Sequence, residues 1–484
     1  MRSPYFPARS VLFHKEPNDV TYRVPALLYL SRSRCFLAFC EERLSPSDSQ
    51  AHLLVLRKGT FYRNYVEWED MRVLGTAFLP GHRSMNPCPV YDEFTGTLFL
   101  LFIAVLGHTS ESYQLVTGKN VTRLCCISST DEGDTWSPVT DLTQRVIGDT
   151  IREWATFALG PGHGIQLKSG RLLVPAYAYH IECKECFGQL CQTTPHAFCF
   201  HSDTHGRTWR FGEAVPVPES VECQMVSVDE EDGTNVLYCN ARSPLGYRVQ
   251  ALSLDDGAVF QEGQLVQRLV EPRNGCHGST VGFPAPLHLC HSLEHHLHQP
   301  EHRSRHWTSC TTNTSNTSTS GPSSSSTHPD FLTPTWVVYS HPTWTTARKD
   351  LGIFLSPFPR DPDSWRGPWV IYEGPSAYSD LAYLELPPSP GAPPAVAFAC
   401  LFECGTKTAY DEICFSIFTL YELIDNLPRE VQLGNNNHKS KRQQNEVSDC
   451  RRGHDAQREA VYNQMPRMKK RKKKSKLTEM CPVS

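Results

Sequence analysis

Ser129-Thr130-Asp131-Glu132-Gly133-Asp134-Thr135-Trp136 is the first of three related turn motifs in this chain, and the others are Ser202–Trp209 and Ser253–Phe260. Their starts lie 73 and 51 residues apart. Ser and Asp side chains bind turn backbone, glycine supplies a positive φ, and the closing aromatic residue packs between neighbouring sheets. The motifs therefore predict Asp-box hairpin turns, spaced as in the blades of a β-propeller with loop insertions. Thr204 replaces the usual Asp in the second motif, which predicts a less tightly bonded turn.

Around these motifs, from Tyr22 to about Ile424, the chain consists of short apolar and aromatic runs separated by Gly, Pro, Asn and Asp. Examples are Cys35–Cys40, Thr97–Val105 and Arg171–Tyr179. Such runs are typical of strands. Long amphipathic helical patterns are scarce, and Leu420–Leu427 alone predicts a short closing helix. The sequence therefore predicts an all-β fold, and a radial arrangement would leave few exposed sheet edges.

Two segments have a different composition. Residues 288–329 are crowded with His, Ser, Thr and Asn, which predicts a disordered loop insertion within a propeller of residues 1–428. Residues 429–484 are predicted to be a disordered basic tail. Between Lys439 and Lys476 the chain carries 14 Lys or Arg against 4 Asp or Glu. This stretch thus has a net charge of +10, which leaves −14 for the rest of a chain whose total is −4.

Composition excludes several classes of protein. A chain of 484 residues with 39% hydrophobic and 20% charged residues is that of a globular protein. Met1–Asn18 has no signal-peptide pattern, and the longest apolar run, Leu98–Leu106, is about half a membrane span. We therefore expect synthesis in the cytosol and reduced thiols for the 19 cysteines. Cys183, Cys186 and Cys191 lack a second pair at zinc-site spacing, so no metal is predicted.

Short motifs with polar or charged side chains stand out along the predicted strands. They are Tyr22–Pro25, Arg43 with Asp48, His82–Pro87, Tyr177–Tyr179, Glu222–Gln224, Asn240–Arg242, Tyr339–Pro342, Tyr378–Asp380 and Cys400–Glu403. Together with the Asp boxes they resemble the vertebrate exo-α-sialidases, or neuraminidases, over roughly Val11–Leu427. Val105–His108 and Asn240–Gly246 are most similar to the fourth isoform of that family. The resemblance implies a six-bladed β-propeller that hydrolyses terminal sialic acid, with no cofactor or metal.

The substrate implied by this resemblance presents a carboxylate at its anomeric carbon, so its recognition demands cations. Guanidinium groups bind carboxylates through charge-assisted, partly bidentate hydrogen bonds and stay charged. By resemblance these groups are Arg23, Arg242 and Arg348. Converging positive charges repel, and the resemblance assigns Glu403 to hold Arg23 in place.

A carboxylate nucleophile would be repelled by the substrate carboxylate, whereas a neutral phenol would not. The resemblance implies Tyr378 as the nucleophile and Glu222 as the base that removes its proton. Asp48 is implied as the acid that protonates the leaving oxygen and later activates water. Asp48 lies in a Ser-rich loop, and we expect it to work near neutral pH only if loop closure raises its pKa by desolvation.

The walls of the sugar pocket are also assigned by resemblance. Arg43, Asn86, Tyr177 and Tyr179 are implied to contact the sugar ring with its glycerol and N-acyl groups. The tyrosines taken alone would equally suit a buried core. His277 occupies a place where relatives commonly have Gln, which bears on the fine contacts and on the pH profile.

The tail contains a dense basic run, Arg467–Lys476, with a weaker cluster at Lys439–Arg442. Such runs favour nuclear import factors as partners, and the nucleus is the predicted location. The same charge also suits an anionic membrane surface, so cytoplasm or peripheral membrane association is the alternative. Cys481–Ser484 loosely matches a prenylation motif, although a proline follows the cysteine. No specific nucleic acid is predicted, since contacts of the tail would be nonspecific.

Three functions compete at this point. The first is a retaining exo-α-sialidase acting on sialylated glycoproteins, gangliosides and oligosaccharides. The second is a noncatalytic propeller lectin that binds sialic acid through the arginines, and the third is a nuclear scaffold. The joint presence of nucleophile, base and acid favours the enzyme.

Overall fold

A computed structural model describes residues 5–62, 65–183, 191–230, 232–286, 333–387 and 395–428. The chain divides into two units, Met1–Pro428 and Arg429–Ser484, and the description below concerns the first. The predicted insertion at 288–329 and the predicted tail lie outside the described residues. No helix within the described ranges has the length and apolar character needed to span a membrane.

The described part of the chain is mostly β-structure, as predicted. Its strands are β1 (Arg9–His14), β2 (Thr21–Leu30), β3 (Cys35–Arg43), β4 (Ala51–Tyr62), β5 (Tyr65–Trp68), β6 (Arg72–Val73), β7 (His82–Asp92), β8 (Thr97–Leu106), β9 (Thr122–Ser129), β10 (Thr140–Asp141), β11 (Trp154–Leu159), β12 (Ile165–Gln166), β13 (Leu172–Cys183), β14 (Gln192–Ser202), β15 (Arg210–Phe211), β16 (Cys223–Asp229), β17 (Asn235–Ala241), β18 (Tyr247–Ser253), β19 (Gln264–Val270), β20 (Ser279–Pro284), β21 (Thr335–Pro342), β22 (Lys349–Ser356), β23 (Arg366–Leu386), β24 (Ala395–Cys404) and β25 (Glu412–Thr419). The helices are α1 (Glu111–Thr117), α2 (Thr143–Val146) and α3 (Leu420–Asn426), with 3-10 turns at Asp48–Gln50 and Gly148–Arg152.

The strands form antiparallel sheets that follow one another along the chain. Their orders are β2-β3-β4-β5, β7-β8-β9-β10, β11-β13-β14-β15, β16-β17-β18-β19 and β20-β21-β22-β23-β24-β25-β1, with β6 paired to β4 and β12 to β13. Because consecutive strands pair in this way, each sheet is built mainly from local hairpins. The arrangement is that of a propeller-like fold, and its repeated sheets match the predicted all-β class.

The seven-stranded sheet contains one strand that changes partners. The first half of β23 pairs with β22 as far as Pro375, and from Ser376 onward β23 pairs with β24. The N-terminal strand β1 then pairs with β25, with Arg9 opposite Ser416. The sheet therefore consists of two groups of four strands that share β23.

The hydrophobic core lies between successive sheets. Leu37 of the first sheet packs in one cluster with Leu100 of the second. At the other end, Phe36 of the first sheet shares a cluster with Ala399 of β24 and Phe415 of β25. A buried Leu or Phe side chain contributes about 2 kcal/mol. Apolar packing thus joins the last sheet to the first, so the sheets close into a ring.

The turn at Ser129–Trp136 shows how a short motif fixes a hairpin. Ser129 Oγ accepts a hydrogen bond from Gly133 N at 2.8 Å, and Asp131 Oδ1 accepts one from Thr135 N at 2.9 Å. Gly133 has a φ of +85°, and the ring of Trp136 lies 6.1 Å from that of Phe39 in the preceding sheet. The turn therefore carries its aromatic residue into the packing between two sheets.

The second motif, Ser202–Trp209, keeps this geometry although Thr204 stands at the position of Asp131 in the first. Thr204 Oγ1 accepts from Thr208 N at 2.8 Å, and Ser202 Oγ accepts from Gly206 N at 2.9 Å. Trp209 packs 6.0 Å from Phe99 of the preceding sheet. The threonine hydroxyl replaces one carboxylate oxygen, so this turn has the same backbone contact with fewer acceptors.

Candidate active site

Tyr378 and Glu222 form a buried pair. Tyr378 lies on the second half of β23 and Glu222 directly precedes β16, and the phenol donates a hydrogen bond to Glu222 Oε1. Burial and the charge of Glu222 raise the pKa of Tyr378 well above its usual range. Burial alone would raise the pKa of Glu222, but the charge of Arg242 and the hydrogen bonds from Tyr378 and Arg242 outweigh it, so this pKa is lowered. The pair therefore places a neutral phenol in hydrogen-bond contact with an ionised carboxylate, which is positioned to accept the phenol proton.

The three arginines chosen from the sequence all contact this tyrosine. The guanidinium carbons of Arg23 and Arg348 lie 5.5 and 5.2 Å from the centre of the Tyr378 ring. Arg242 Nη1 donates to the Tyr378 hydroxyl at 3.3 Å. Residues separated by more than 100 positions in the chain thus meet around one phenol, because their strands end at the same face of the ring.

Glu403 connects Arg23 to the backbone of Tyr378. Arg23 Nε and Nη2 donate to the two oxygens of Glu403 at 3.0 and 3.3 Å. The same carboxylate accepts hydrogen bonds from Val24 N and Tyr378 N, at 2.9 and 3.1 Å. Val24 has a φ of +59°, which is rare for a β-branched residue and marks a strained site. One buried acid therefore fixes both a guanidinium and the peptide that carries the phenol.

Asp380 holds the same part of β23 from the other side. It is fully buried and accepts hydrogen bonds from Leu27 N and Ser279 Oγ, each at 2.7 Å, and lies 2.8 Å from His163 Nδ1. These contacts reach β2 of the first sheet, β20 of the seven-stranded sheet and the connection between β11 and β12. The position of Tyr378, two residues earlier, is thereby tied to the centre of the ring.

Arg242 and Arg348 both donate hydrogen bonds to the connection between β19 and β20. Arg242 Nη1 donates to Glu222 Oε2 at 2.8 Å, and its Nη2 donates to the carbonyl of Asn274. Arg348 donates twice to the carbonyl of Gly275, at 3.1 and 3.3 Å. Both arginines therefore use neighbouring peptide units of one connection as acceptors.

Asp48 begins a 3-10 turn and its side chain is 72% exposed. Arg43 Nη1 lies 2.5 Å from its Oδ1, and Arg23 Nη1 lies 3.8 Å away. Partial desolvation raises the pKa of Asp48, but the charges of Arg43 and Arg23 outweigh it, so the pKa is lowered. In the form described here Asp48 is therefore held as a carboxylate, and the raised pKa expected on loop closure stays a prediction. Arg43 is in turn fixed by Glu41, 2.6 Å from its Nη2.

The remaining predicted residues lie on strands around this group. Asn86 is buried at a bulge in β7, has a φ of +52° and donates from its backbone N to Glu41 Oε1 at 2.7 Å. Tyr177 and Tyr179 share one face of β13, with ring centres 6.1 Å apart. The charges of Glu111 and Glu222 act on both phenols, which places the two tyrosines beside the Tyr378 pair.

Sequence reasoning missed Glu111, the first residue of α1. Desolvation and the charges of Asp48 and Glu222 raise the pKa of Glu111 to about 7, against a hydrogen bond with Tyr179 and the charge of Arg242. Ser110 caps the helix by accepting from Tyr113 N at 3.1 Å. A Ser-Glu pair at a helix start is a common structural pattern, so the sequence offered no signal that this acid faces the site.

His277 lies against the nucleophile. Its ring centre is 5.4 Å from that of Tyr378, and burial lowers its pKa to about 3 despite the charge of Glu222. Neither ring nitrogen has a hydrogen-bond partner among the described residues. The imidazole is therefore a neutral wall beside Tyr378.

One group of potential metal ligands occurs in the described ranges: Cys404, Glu412 and Cys414, on β24 and β25. Its two sulfur atoms are 3.1 Å apart. Two thiolates bound to a tetrahedral zinc are about 3.7 Å apart, given Zn–S distances of ~2.3 Å. Cys404 and Cys414 also belong to a hydrophobic cluster. Their placement is that of core thiols. Of the predicted cysteine loop, Cys186 lies outside the described residues.

Comparisons with known proteins give the same result as the motifs. A family model described as a BNR repeat-like domain matches residues 36–386. The chain is 48% identical over 466 residues to Sialidase-4 of Mus musculus, covering 88% of this chain and 96% of that protein. It is 44% identical over 422 residues to Sialidase-3 of Homo sapiens, covering 86% of this chain and 94% of that protein.

Solved structures share the fold at lower identity. The Hadza microbial sialidase Hz136 matches with a TM-score of 0.62 and 20% identity, over 86% of this chain and 69% of that one. The intramolecular trans-sialidase from Ruminococcus gnavus matches with a TM-score of 0.58 and 16% identity, over 85% of this chain and 97% of that one. Fold, motifs and curated relatives agree with the resemblance read from the sequence: this chain belongs to the sialidase family, the exo-α-sialidases among the glycoside hydrolases.

Proposed function

We propose that this sialidase removes terminal sialic acid from glycoproteins, gangliosides and oligosaccharides with retention of configuration. One observation carries the proposal: the Tyr378 hydroxyl donates to Glu222 while Arg23, Arg242 and Arg348 all contact the same phenol. A substrate carboxylate bound by the three guanidiniums would lie beside the phenol oxygen. The anomeric carbon of the sugar carries that carboxylate, so the nucleophile and the reacting carbon would meet.

In the first step the Tyr378 oxygen attacks the anomeric carbon as its proton passes to Glu222. Closure of the Asp48 loop over the substrate desolvates this carboxylate and raises its pKa, so that it binds a proton. The bond to the leaving group breaks, and Asp48 gives this proton to the departing oxygen. In the second step Asp48 takes a proton from water, whose oxygen attacks the anomeric carbon. Tyr378 leaves and regains its proton from Glu222, so every group returns to its starting state.

The experiment that tests this mechanism is labelling with a fluorinated sialic acid that forms a slowly hydrolysed glycosyl-enzyme. Peptide mass spectrometry should find the label on Tyr378, and NMR of the first product formed from a methylumbelliferyl sialoside should show the α anomer. A label on a carboxylate, or a β product, would contradict the proposed nucleophile.

The described sheets also support the predicted six-bladed ring. The sheets preceding β20 form four groups, and β23 divides the seven-stranded sheet into two more at Pro375 and Ser376. The cluster that contains Phe36 and Phe415 joins the last group to the first. Six four-stranded blades, closed by β1 in the last, account for all of these pairings.

The pKa of Glu111 gives a pH prediction. Desolvation and the charges of Asp48 and Glu222 raise this pKa to about 7, so Glu111 ionises only after those two carboxylates have done so. Its charge then adds to theirs and opposes the binding of an anionic sugar. Glu111→Gln removes this ionisation, so the alkaline limb of the kcat/KM profile should move to higher pH, by about half a unit or ~0.7 kcal/mol.

The matched control for Glu111→Gln is Glu385→Gln, because Glu385 is bonded to Tyr383 in an exposed contact at the end of β23. The pH profile of kcat/KM for Glu385→Gln should coincide with that of the parent enzyme. A Glu111→Gln limb that stays in place, or moves to lower pH, would show that ionisation of Glu111 does not oppose substrate binding.

We also propose that the basic run Arg467–Lys476 carries the protein into the nucleus through import factors. Replacing Lys469–Lys474 with alanine should move a fluorescently tagged protein from nucleus to cytoplasm. The control replaces Lys439, Lys441 and Arg442 of the weaker cluster. Retention at membranes would favour the anionic surface as the partner, and unchanged nuclear fluorescence would rule out the import signal.

A further inference from the structure

The connection between β19 and β20 presents two adjacent carbonyl groups to the site. Gly275 N donates to Pro272 O at 2.7 Å, and Asn274 and Gly275 both have positive φ values, +67° and +69°. This turn directs the Asn274 carbonyl to Arg242 and the Gly275 carbonyl to Arg348. The spacing of two arginines that come from different sheets is therefore set by one peptide link.

A single buried carboxylate anchors this turn. Glu271 is 3% exposed, and its Oε2 accepts from Cys276 N at 3.0 Å, next to Gly275. Its Oε1 accepts from Ser243 N at 3.3 Å, next to Arg242. Glu271 thus holds the backbone beside Arg242 and the backbone that binds Arg348.

Two buried basic side chains lie against Glu271. Arg248 Nη1 lies 3.0 Å from Oε1 and also donates to Cys276 O at 2.8 Å. His341 Nε2 lies 3.2 Å from Oε2, and its Nδ1 faces the carbonyl of Pro342 at 2.8 Å. Burial alone would raise the pKa of Glu271, but Arg248 and His341 lower it to about 2. The carboxylate is therefore ionised at any pH at which the enzyme would work.

The turn also has no room for a side chain. A Cβ on Gly275 would lie 2.5 Å from Arg242 Nε and 2.9 Å from its Cγ, and the positive φ disfavours any other residue. Arg242 packs directly on the peptide that binds Arg348. A displacement of this peptide would therefore move both guanidiniums.

We propose that Glu271 is a positioning residue that sets the distance and direction between Arg242 and Arg348 for binding the substrate carboxylate. It acts through the backbone of Ser243 and of the Asn274–Cys276 turn and does not touch the sugar. This inference rests on the proposed role of the two arginines. Glu403 holds Arg23 by direct hydrogen bonds, and Glu271 would hold Arg242 and Arg348 through the backbone.

The test compares two ligands that differ only in the group the arginines bind: the 2,3-unsaturated sialic acid analogue and its methyl ester. The ratio of their inhibition constants measures recognition of the carboxylate. In Glu271→Gln, which keeps the shape and loses the charge, this ratio should fall at least tenfold relative to the parent enzyme. Affinity for the methyl ester should change little.

The control is Asp92→Asn, which alters a fully buried carboxylate bonded to Phe94 N, Gln166 and His205 at the far end of β7. It should lower the melting temperature and keep the parent ratio. A Glu271→Gln enzyme that loses stability but keeps the parent ratio would overturn the proposal.

Gly275→Ala provides a second variant if Glu271→Gln does not fold. It should reduce the same ratio, and a parent-like ratio would overturn the proposal. A parent enzyme that turns over substrate but binds acid and ester equally would instead contradict the arginine assignment, and this inference with it.

Discussion

Tyr378→Phe is expected to lower kcat by at least about 10⁴-fold, since loss of a catalytic nucleophile can cost up to about 10⁶-fold. The substitution removes only the hydroxyl that donates to Glu222. The ring remains as the surface that Arg23 and Arg348 contact, so the binding of the unsaturated analogue should stay close to that of the parent. Steady-state turnover of the methylumbelliferyl sialoside and calorimetric titration of the analogue measure the two effects separately.

Tyr383→Phe is the matched control for this prediction. This substitution also removes a tyrosine hydroxyl from β23, five positions after Tyr378. That hydroxyl donates to the exposed Glu385 at 2.7 Å. Its kcat should equal that of the parent. Ordinary turnover by Tyr378→Phe would exclude the phenol as nucleophile, and loss of binding would show that the hydroxyl serves recognition.

The second large effect is expected for Arg242→Ala, with kcat/KM lower by about 10³-fold, or ~4 kcal/mol. The variant loses one of the groups proposed to bind the carboxylate. It also leaves Glu222 buried without its counter-charge at 2.8 Å. Without that charge, burial would raise the pKa of Glu222, so less of the base would be ionised at a given pH.

The sign of this shift can be measured. The acid limb of the Arg242→Ala profile should move to higher pH, since more of the base must be deprotonated before the phenol can lose its proton. Arg171→Ala is the control, because Arg171 pairs with Asp203 at 2.6 Å and reaches the carbonyl of Asp256 between two turns. It should lower stability and keep KM and the profile. An Arg242→Ala enzyme with parent kinetics would contradict the assigned role.

The fold could be predicted from the sequence because its signals are local. Each Asp-box turn is specified within eight residues, and the alternation of strand and turn is repeated along the chain. The double pairing of β23 could not be predicted in this way. Its 21 residues have no composition break where the partner changes from β22 to β24, because that change depends on which strands lie alongside.

The candidate site could be proposed from the sequence where a motif of the resemblance contains the side chain itself. Arg23, Glu222 and Tyr378 are of this kind, and the structure brings them together. Glu271 acts through hydrogen bonds to backbone N–H groups, and any sequence presents those, so no motif marks it. The pair Asn274-Gly275 could have been read as a turn. Which groups its backbone carbonyls bind depends on the fold, however, and the residue types do not indicate it.

The pairing of β1 with β25 has a consequence for the self-association of truncated chains. Residues 9–14 supply the outermost strand of a sheet whose other strands come from the far end of the unit. Deleting these six residues would leave β25 with a row of unsatisfied amides and carbonyls, ready to recruit a strand from another molecule. Variants that lack Arg9–His14 should therefore self-associate, while their individual sheets remain intact.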